Sequence, residues 1–377
     1  MQAMHLLRAI DPEFWRDRRV VLTGFSGFKG SWLWLWLEHL GAAVTGLALP
    51  PDTSPSPNPS LAGALGLCDR PGAVLGDIRD RALVRELVDR SDPQIVIHMA
   101  AQALVRQGYE HPVDTFDVNV TGTLVLLDAL RHARSLQAVL VVTSDKVYEN
   151  DSSGHRFCED DRLGGVDPYS ASKAACELGV ASFGRSFFAA RDAASRPVGI
   201  ATARAGNVIG GGDWSADRII PDLWRARVSG TPVALRYPDA TRPWQHVLDP
   251  LCGYLAFARA LSEGLEVAAL NFGPEAGEVL SVRDLAEAFD AAWPEAASPG
   301  WVQAAGAHPK EAMALAIDSR KAAALLGWRP SLDQREAIGW TASWYAEHDR
   351  GGEMQAFTLD QIRAYERRIA GREGSLA

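Results

Sequence analysis

An α/β chain built on an open, doubly wound parallel sheet, followed by a smaller C-terminal part, is the fold class that the sequence predicts. Three observations carry this. Short apolar runs alternate with helical stretches as far as Arg204, the pattern of a parallel sheet covered on both faces. A glycine-rich turn follows the first apolar run at once. After Asn207 the alternation loosens into shorter elements.

The elements follow in order. Arg19 to Thr23 is apolar and reads as a buried strand. Lys29 to Leu40 is apolar on all sides and reads as a buried helix closed by Gly41, with Trp32, Trp34 and Trp36 as core. Ala43 to Leu49 is a second strand. Pro50 to Pro59 holds five prolines and is a loop. A third short strand precedes Gly76-Asp77-Ile78. Asp80–Arg90 is helical, Gln94–Met99 a strand, Thr115–Arg134 a helix and Ala138–Thr143 a strand. Tyr169–Ala190 is a helix and Val198–Arg204 a strand. Right-handed crossovers turn this order into a doubly wound sheet. Beyond it, Gly210 to Gly212 form a loop, Ser281–Ala292 and Ser319–Leu326 are helices, and the tail from Gly351 carries one helix over Leu359–Arg368.

Composition narrows the partners. The 377 residues carry 38 Lys and Arg against 47 Asp and Glu, a net charge of -9, which argues against nucleic acid or an anionic membrane as the main partner. Cys68, Cys158, Cys176 and Cys252 show no metal-binding spacing and read as reduced cytosolic thiols, so neither a disulfide frame nor a metal is expected. The opening residues hold Asp11, Glu13, Arg16 and Arg18 without an apolar stretch. The longest apolar run, Trp32 to Leu37, is too short for a bilayer, and a cytoplasmic chain is expected. Only five residues are lysine, at 29, 146, 173, 310 and 321, so a lysine inside a motif is rarely accidental here.

Two motifs carry chemistry. In Thr23-Gly24-Phe25-Ser26-Gly27-Phe28-Lys29-Gly30, Gly24 permits the tight turn, Gly27 lets backbone approach a pyrophosphate, and Gly30 lets helix and strand pack closely. The helix start then offers unpaired N–H groups to phosphate. With a strand before and a helix after, this is the dinucleotide turn of a Rossmann-like sheet. No Arg or Lys stands between Lys29 and Arg70 to meet a 2′-phosphate, which favours NAD over NADP, and Asp77 and Ile78 are placed to meet adenine. The second motif is Tyr169-Ser170-Ala171-Ser172-Lys173. Residues i and i+4 share a helical face, so phenol and ammonium converge. A phenol titrates near 10, and a nearby ammonium and the nicotinamide cation are expected to lower that value. Ser144, at the carboxyl end of the fifth strand, completes a Ser–Tyr–Lys set for hydride transfer at a carbinol. Asp145 and Lys146 exceed what a simple alcohol dehydrogenase needs and suggest proton transfers at neighbouring carbons, that is, elimination. His98 reads as structural; His246 and Trp244 suit either packing or a substrate contact.

These motifs identify a resemblance. The sequence resembles the extended short-chain dehydrogenase/reductase superfamily and, within it, the CDP-glucose 4,6-dehydratases. The likeness runs through Thr23–Gly30, His98–Arg106, Asn119–Thr123, Thr143–Asn150, Tyr169–Lys173, Arg204–Arg218, Arg242–Asp249 and Asn271–Pro274, with later pieces at His308–Ala312 and Ile317–Trp328. The triplet Ser144-Asp145-Lys146 is its most specific part, because dTDP-glucose dehydratases carry Asp-Glu there. The resemblance implies bound NAD recycled within each turnover: hydride leaves C4 of the hexose, water is lost across C5 and C6, and hydride returns to C6. It implies that Tyr169 takes the 4-OH proton, that Asp145, kept protonated by burial, protonates the departing 6-OH, and that Lys146 is either the C5 base or the group that stabilises the enolate. Cofactor contacts would come from Gly24 to Gly30, Asp77, Ile78, Ala100, Ala101, Gln102, Asn119, Tyr169 and Lys173, and sugar-nucleotide contacts from Asn207, Arg218 and Arg242. Residues 1–206 with about 242–273 would form the NAD-binding domain, 207–241 with 274–350 the sugar-nucleotide-binding domain, and 351–377 a tail. A homodimer through the helices Thr115–Arg134 and Tyr169–Ala190, and a place in deoxysugar supply for a polysaccharide or a glycosylated metabolite, are also implied. A 4-epimerase or reductase on the same scaffold would need only Ser144, Tyr169 and Lys173.

Overall fold

β1 (Arg19–Thr23) is buried from Val20 onward and pairs in parallel on both sides, Val20 standing opposite Val44 and Ile95. Around it run α1 (Phe28–His39), β2 (Ala43–Ala48), β3 (Ala73–Leu75), α2 (Arg81–Ser91), β4 (Ile95–His98), α3 (Gly122–Leu130), β5 (Ala138–Val142), α4 (Pro168–Phe183), β6 (Gly199–Ala205), α5 (Ile219–Ser229), α6 (Leu248–Ser262) and β7 (Ala269–Phe272). α7 (Val282–Ala292), α8 (Arg320–Leu326), α9 (Gln334–Asp349) and α10 (Met354–Gly374) follow. This computed structural model describes residues 9–51, 60–151, 153–189, 197–275, 280–293, 299–305 and 315–374. Most of the proline-rich loop and the His308–Ala312 motif lie outside the described residues.

The seven strands form one parallel sheet in the order β7-β6-β5-β4-β1-β2-β3. The order reverses between β1 and β4, which opens a crevice at their carboxyl ends. All five residues of β5 are buried because helices cover both faces.

α1 is core from Gly30 to Leu37, as expected of its apolar residues. The Trp32 indole donates to the Gly211 carbonyl at 2.9 Å and that of Trp36 to Glu366 at 2.8 Å, with Tyr365 edge-on to Trp36. These contacts place α10 over α1. The tail helix is therefore longer than Leu359–Arg368 and docked, not peripheral.

Three further differences have physical causes. The helix expected over Thr115–Arg134 starts at Pro112, widens into a π turn over Asp117–Thr121 and ends with Leu130. The helix expected to reach Ala190 passes into a second π turn at Gly184–Phe188. α6, buried along its whole length, has no polar face and so left no periodic signal. Beyond β6, a short parallel pair (Val233–Leu235 with Trp301–Gln303) and the helices α5, α7 and α9 surround an aromatic cluster of Trp214, Trp224, Tyr345 and His348. All four cysteines are free, and no helix among the described residues is long and apolar enough to cross a membrane.

Candidate active site

The glycine-rich turn divides its glycines by task. Gly24 has φ +75°, and a Cβ there would lie 2.7 Å from the Ala100 nitrogen. At Gly30 a Cβ would lie 2.1 Å from the Gly24 carbonyl oxygen. Both glycines are demanded by the fold itself. Gly27 is different: its Cβ would meet nothing nearer than 3.4 Å. It also caps α1 without any side-chain hydrogen bond, so no capping side chain covers the first-turn amides. That open, amide-lined cradle fits a pyrophosphate. The Phe25 ring is core, 4.9 Å from Trp34, so only its backbone faces the cradle; the Ser26 hydroxyl donates to the Leu49 carbonyl at 2.8 Å, and Phe28 points toward Gly210 and Val247.

The opposite lip of the crevice is set by His98. Burial holds its imidazole neutral, down to about 3, with Lys173 pushing the same way. Thr123 donates to the Asn119 carbonyl at 2.7 Å and therefore accepts from His98 Nε2 at 2.9 Å. Thr23 donates to Nδ1 at 2.6 Å while accepting the Met99 and Ala100 amides at 3.1 Å each. His98 thus ties β1, β4 and α3 together and fixes Ala100 and Ala101 beside the glycine turn. The π turn aims Asn119 inward, where its amide donates to the Gln102 carbonyl and Ser172 Oγ, and its oxygen accepts the Gln102 amide at 2.8 Å. Gln102 in turn donates to Thr115 Oγ1 at 2.9 Å. The side chains of both residues are committed within the protein, bracing the lip against α4.

At the end of β5, Ser144 is extended and caps a short turn, accepting the Lys146 amide at 3.2 Å and donating to Asp145 Oδ1 at 3.1 Å. α4 begins beside it because Asp167 caps its N-terminus and Pro168 fills the first turn, which leaves Tyr169 at the helix mouth. Lys173, one turn on, donates to the Val142 carbonyl at 3.3 Å. Asp145 is buried, and burial raises its carboxyl despite Lys146, Ser144 and Lys29, which lower it. Burial also pushes the Tyr169 phenol up, with Ser144 and Arg218 opposing. Among the protein's own groups, Arg218 is a cation that draws this phenol down. Lys173 itself is lowered by burial. The loop after β6 closes the site, since a Cβ on Gly206 would lie 2.8 Å from Asp145 Oδ2.

Behind this cluster lies a second one that the sequence reading did not assign. Glu177, four residues after Lys173 on α4, accepts from Thr143 Oγ1 at 2.6 Å and from Arg204 through both of its oxygens. Arg204 also donates to the Tyr148 hydroxyl at 2.7 Å, which donates to Asn271 at 2.7 Å. The i+4 spacing from Lys173 was the available signal.

The other predicted residues sit as follows. Asp77 is gripped by Arg79, which bonds both carboxylate oxygens and holds the acid below its usual range. Ile78 is buried and packs toward Gly122. Arg218 pairs with buried Asp213 at 2.9 Å. Asn207 accepts the Gln245 amide through its carbonyl, and Arg242 donates to the Thr241 carbonyl at 2.9 Å. His246 is buried between Trp32 and Trp340, its imidazole lowered by burial to about 3, and Trp244 is core.

The model of the NAD dependent epimerase/dehydratase family matches residues 20–273. The chain is 41% identical, over 94% of its length and 98% of the other's, to CDP-glucose 4,6-dehydratase of Salmonella typhimurium. It is 32% identical, over 87% of its length and 92% of the other's, to dTDP-glucose 4,6-dehydratase of Streptomyces antibioticus. Among solved structures, DesIV, a dTDP-glucose 4,6-dehydratase from Streptomyces venezuelae with NAD bound, superposes with a TM-score of 0.72 at 23% identity, covering 89% of this chain and 99% of that one. At that identity the superposition shows the fold.

Proposed function

This chain belongs to the NAD dependent epimerase/dehydratase family, and we propose that it converts CDP-glucose to CDP-4-keto-6-deoxyglucose. The observation that carries the elimination is Asp145, a buried carboxyl that burial pushes toward its acid form and that accepts a hydrogen bond from Ser144 in the cluster that holds Tyr169. The 41% identity to a CDP-glucose 4,6-dehydratase supports the choice of nucleotide.

The cradle at Gly24 to Gly30, the Ala100–Ala101 lip and Lys173 hold NAD, which accepts hydride from C4 of the hexose and returns it at C6. Tyr169 takes the proton of the C4 hydroxyl, with Ser144 hydrogen-bonded to the same oxygen. The resulting ketone acidifies the C5 proton. Asp145 gives its proton to the departing C6 hydroxyl, so that the leaving group is water. Lys146 serves the C5 side, as the base or as the cation that stabilises the enolate. Arg218, Arg242 and Asn207 hold the phosphates, a task suited to forked guanidinium groups. In this reading residues 1–206 with about 242–273 form the NAD half, and 207–241 with 274–350 the sugar-nucleotide half. Two chains pair through the stretches 115–134 and 169–190, where Phe116 and Leu178 are exposed. The product feeds deoxysugar supply in the cytoplasm.

The test incubates the protein with NAD and, separately, CDP-, UDP-, GDP- and dTDP-glucose, and follows loss of one water by mass spectrometry. Dehydration of CDP-glucose alone is expected. Asp145→Asn should stop water loss yet still reduce the dinucleotide. Dehydration of another nucleotide only would discard the base assignment, and epimerised sugar without water loss would replace the elimination.

A further inference from the structure

Gly206 directly follows β6, and nothing in its own backbone calls for a glycine: its φ lies outside the left-handed region. A Cβ at this position would lie 2.8 Å from Asp145 Oδ2 and 3.6 Å from Asp145 Cγ. Its chain neighbours aside, it would meet no other described atom within 4 Å. Gly24 and Gly30, by contrast, are hemmed in by backbone. The missing side chain at Gly206 therefore makes room for one group, the carboxyl of Asp145.

The spacing of the two residues is fixed from behind. The Thr143 amide donates to the Ala203 carbonyl at 2.9 Å and joins β5 to β6. Past Asp145, the Tyr148 hydroxyl accepts from Arg204 at 2.7 Å and donates at 2.7 Å to Asn271, the β7 residue paired with Arg204. Arg204 is held in turn by both oxygens of Glu177. Past Gly206, the Asn207 carbonyl accepts the Gln245 amide at 3.0 Å. Both backbones are thus anchored beside their point of contact. A methyl group at Gly206 would be relieved by moving the carboxyl, the free end of a short side chain, and not the fold. Asp145 Oδ1 already accepts from Ser144 at 3.1 Å. Oδ2, which no described residue hydrogen-bonds, is the oxygen left to exchange a proton, and it is the one that lies against Gly206.

We propose that Gly206 is a positioning residue for the acid: its bare Cα sets where the Asp145 carboxyl stands, so that proton delivery to the departing hydroxyl depends on it and oxidation at C4 does not. This inference rests on the proposed dehydration. In that step the Oδ2–H bond breaks, its proton joins the C6 hydroxyl, and the C6–O bond breaks to release water. The electron pair left at C5 forms the C5–C6 double bond. A displaced donor misses that oxygen. Ser144 and Tyr169, which serve C4, have no atom within 4 Å of a Cβ at Gly206.

The experiment uses the holoprotein, with Gly206→Ala, Asp145→Ala and the double variant beside the parent. Each is given CDP-, UDP-, GDP- and dTDP-glucose, and the comparison is made on whichever the parent dehydrates. Nicotinamide absorbance in a single turnover reads reduction of the bound dinucleotide, and mass spectrometry reads water loss. In Gly206→Ala, reduction should keep the parent rate while water loss falls by up to about a hundredfold, the scale on which misplacing a reacting group costs rate. The dinucleotide should then stand reduced during turnover, which a merely structural defect would not produce. Thermal unfolding should show that Gly206→Ala destabilises the parent and is neutral beside Asp145→Ala, since the two act through one contact. Water loss at the parent rate, or reduction and water loss slowed equally, overturns the proposal. If Gly206→Ala alone fails to fold, adding Asp145→Ala should restore folding, which locates the clash at the carboxyl; failure to restore it overturns the proposal. A parent that reduces its dinucleotide yet loses no water from any sugar nucleotide overturns the dehydration reading and this proposal with it. A parent that dehydrates beside an unaffected Gly206→Ala overturns this proposal alone.

Discussion

Two buried charged clusters meet at the carboxyl end of β5, one residue apart in the sequence and opposite in their hydrogen bonding. Thr143 looks back to Glu177, Arg204, Tyr148 and Asn271, where each acid, base and hydroxyl has a partner. Ser144 looks forward to Asp145, which has a single side-chain hydrogen-bond partner among the described residues. Residue types alone do not separate the two, since both hold a buried carboxyl near a cation. What separates them is that the first is closed and the second waits for groups the protein does not supply. A closed buried network rigidifies its surroundings, and an open one is costly unless something else completes it.

The contrast is broken most sharply at Tyr169. Tyr169→Phe should lower dehydration about a hundred- to ten-thousandfold, as expected for removing a positioned proton acceptor, while thermal unfolding stays where it was. Rate and melting temperature on one preparation check this; a stability loss that accounts for the rate would dissolve the distinction. On the closed side, Arg204→Met leaves Glu177 buried with an uncompensated charge. It should cost about 3–5 kcal/mol in urea unfolding, and Glu177→Met added to it should recover much of the loss. An Arg204→Met protein that is fully stable but inactive would move this pair into the active site.

The smallest expected effect sharpens the comparison with a third buried acid. Asp249 accepts from Ser331 at 2.6 Å and from Tyr365 at 2.7 Å, and burial raises it to about 7. Like Asp145 it is raised by desolvation, but its partners clasp α10 to α6. Between the ordinary carboxylate range and pH 7 the folded state holds a proton that the unfolded chain has released. Stability from this group is thus present at low pH and lost as pH rises toward 7. Unfolding measured from pH 4 to pH 8 should show this decline in the parent and a flatter profile in Asp249→Asn, with turnover unaltered.

How much was legible in advance depended on the range of the interaction. The glycine turn, the order of the first six strands and the Tyr169–Lys173 spacing are local matters of backbone conformation and periodicity, and one sequence suffices for them. α6 was not legible because a helix buried on every side has no polar stripe. The Arg204–Glu177 pair was not legible either, because its members are 27 residues apart and meet only when β6 lies beside α4.

The sequence by itself therefore determined the sheet, the glycine turn after β1 and the identity of the residues at the mouth of α4. Only the tertiary structure decided which of them stand open and which are spent on one another. It left Gly27 bare while Gly24 and Gly30 are locked by neighbouring backbone. It set the Tyr169 phenol above its usual range by burying it. The reason is physical: hydrogen-bond completion and desolvation depend on every group within a few ångströms, and most of those groups come from distant parts of the chain.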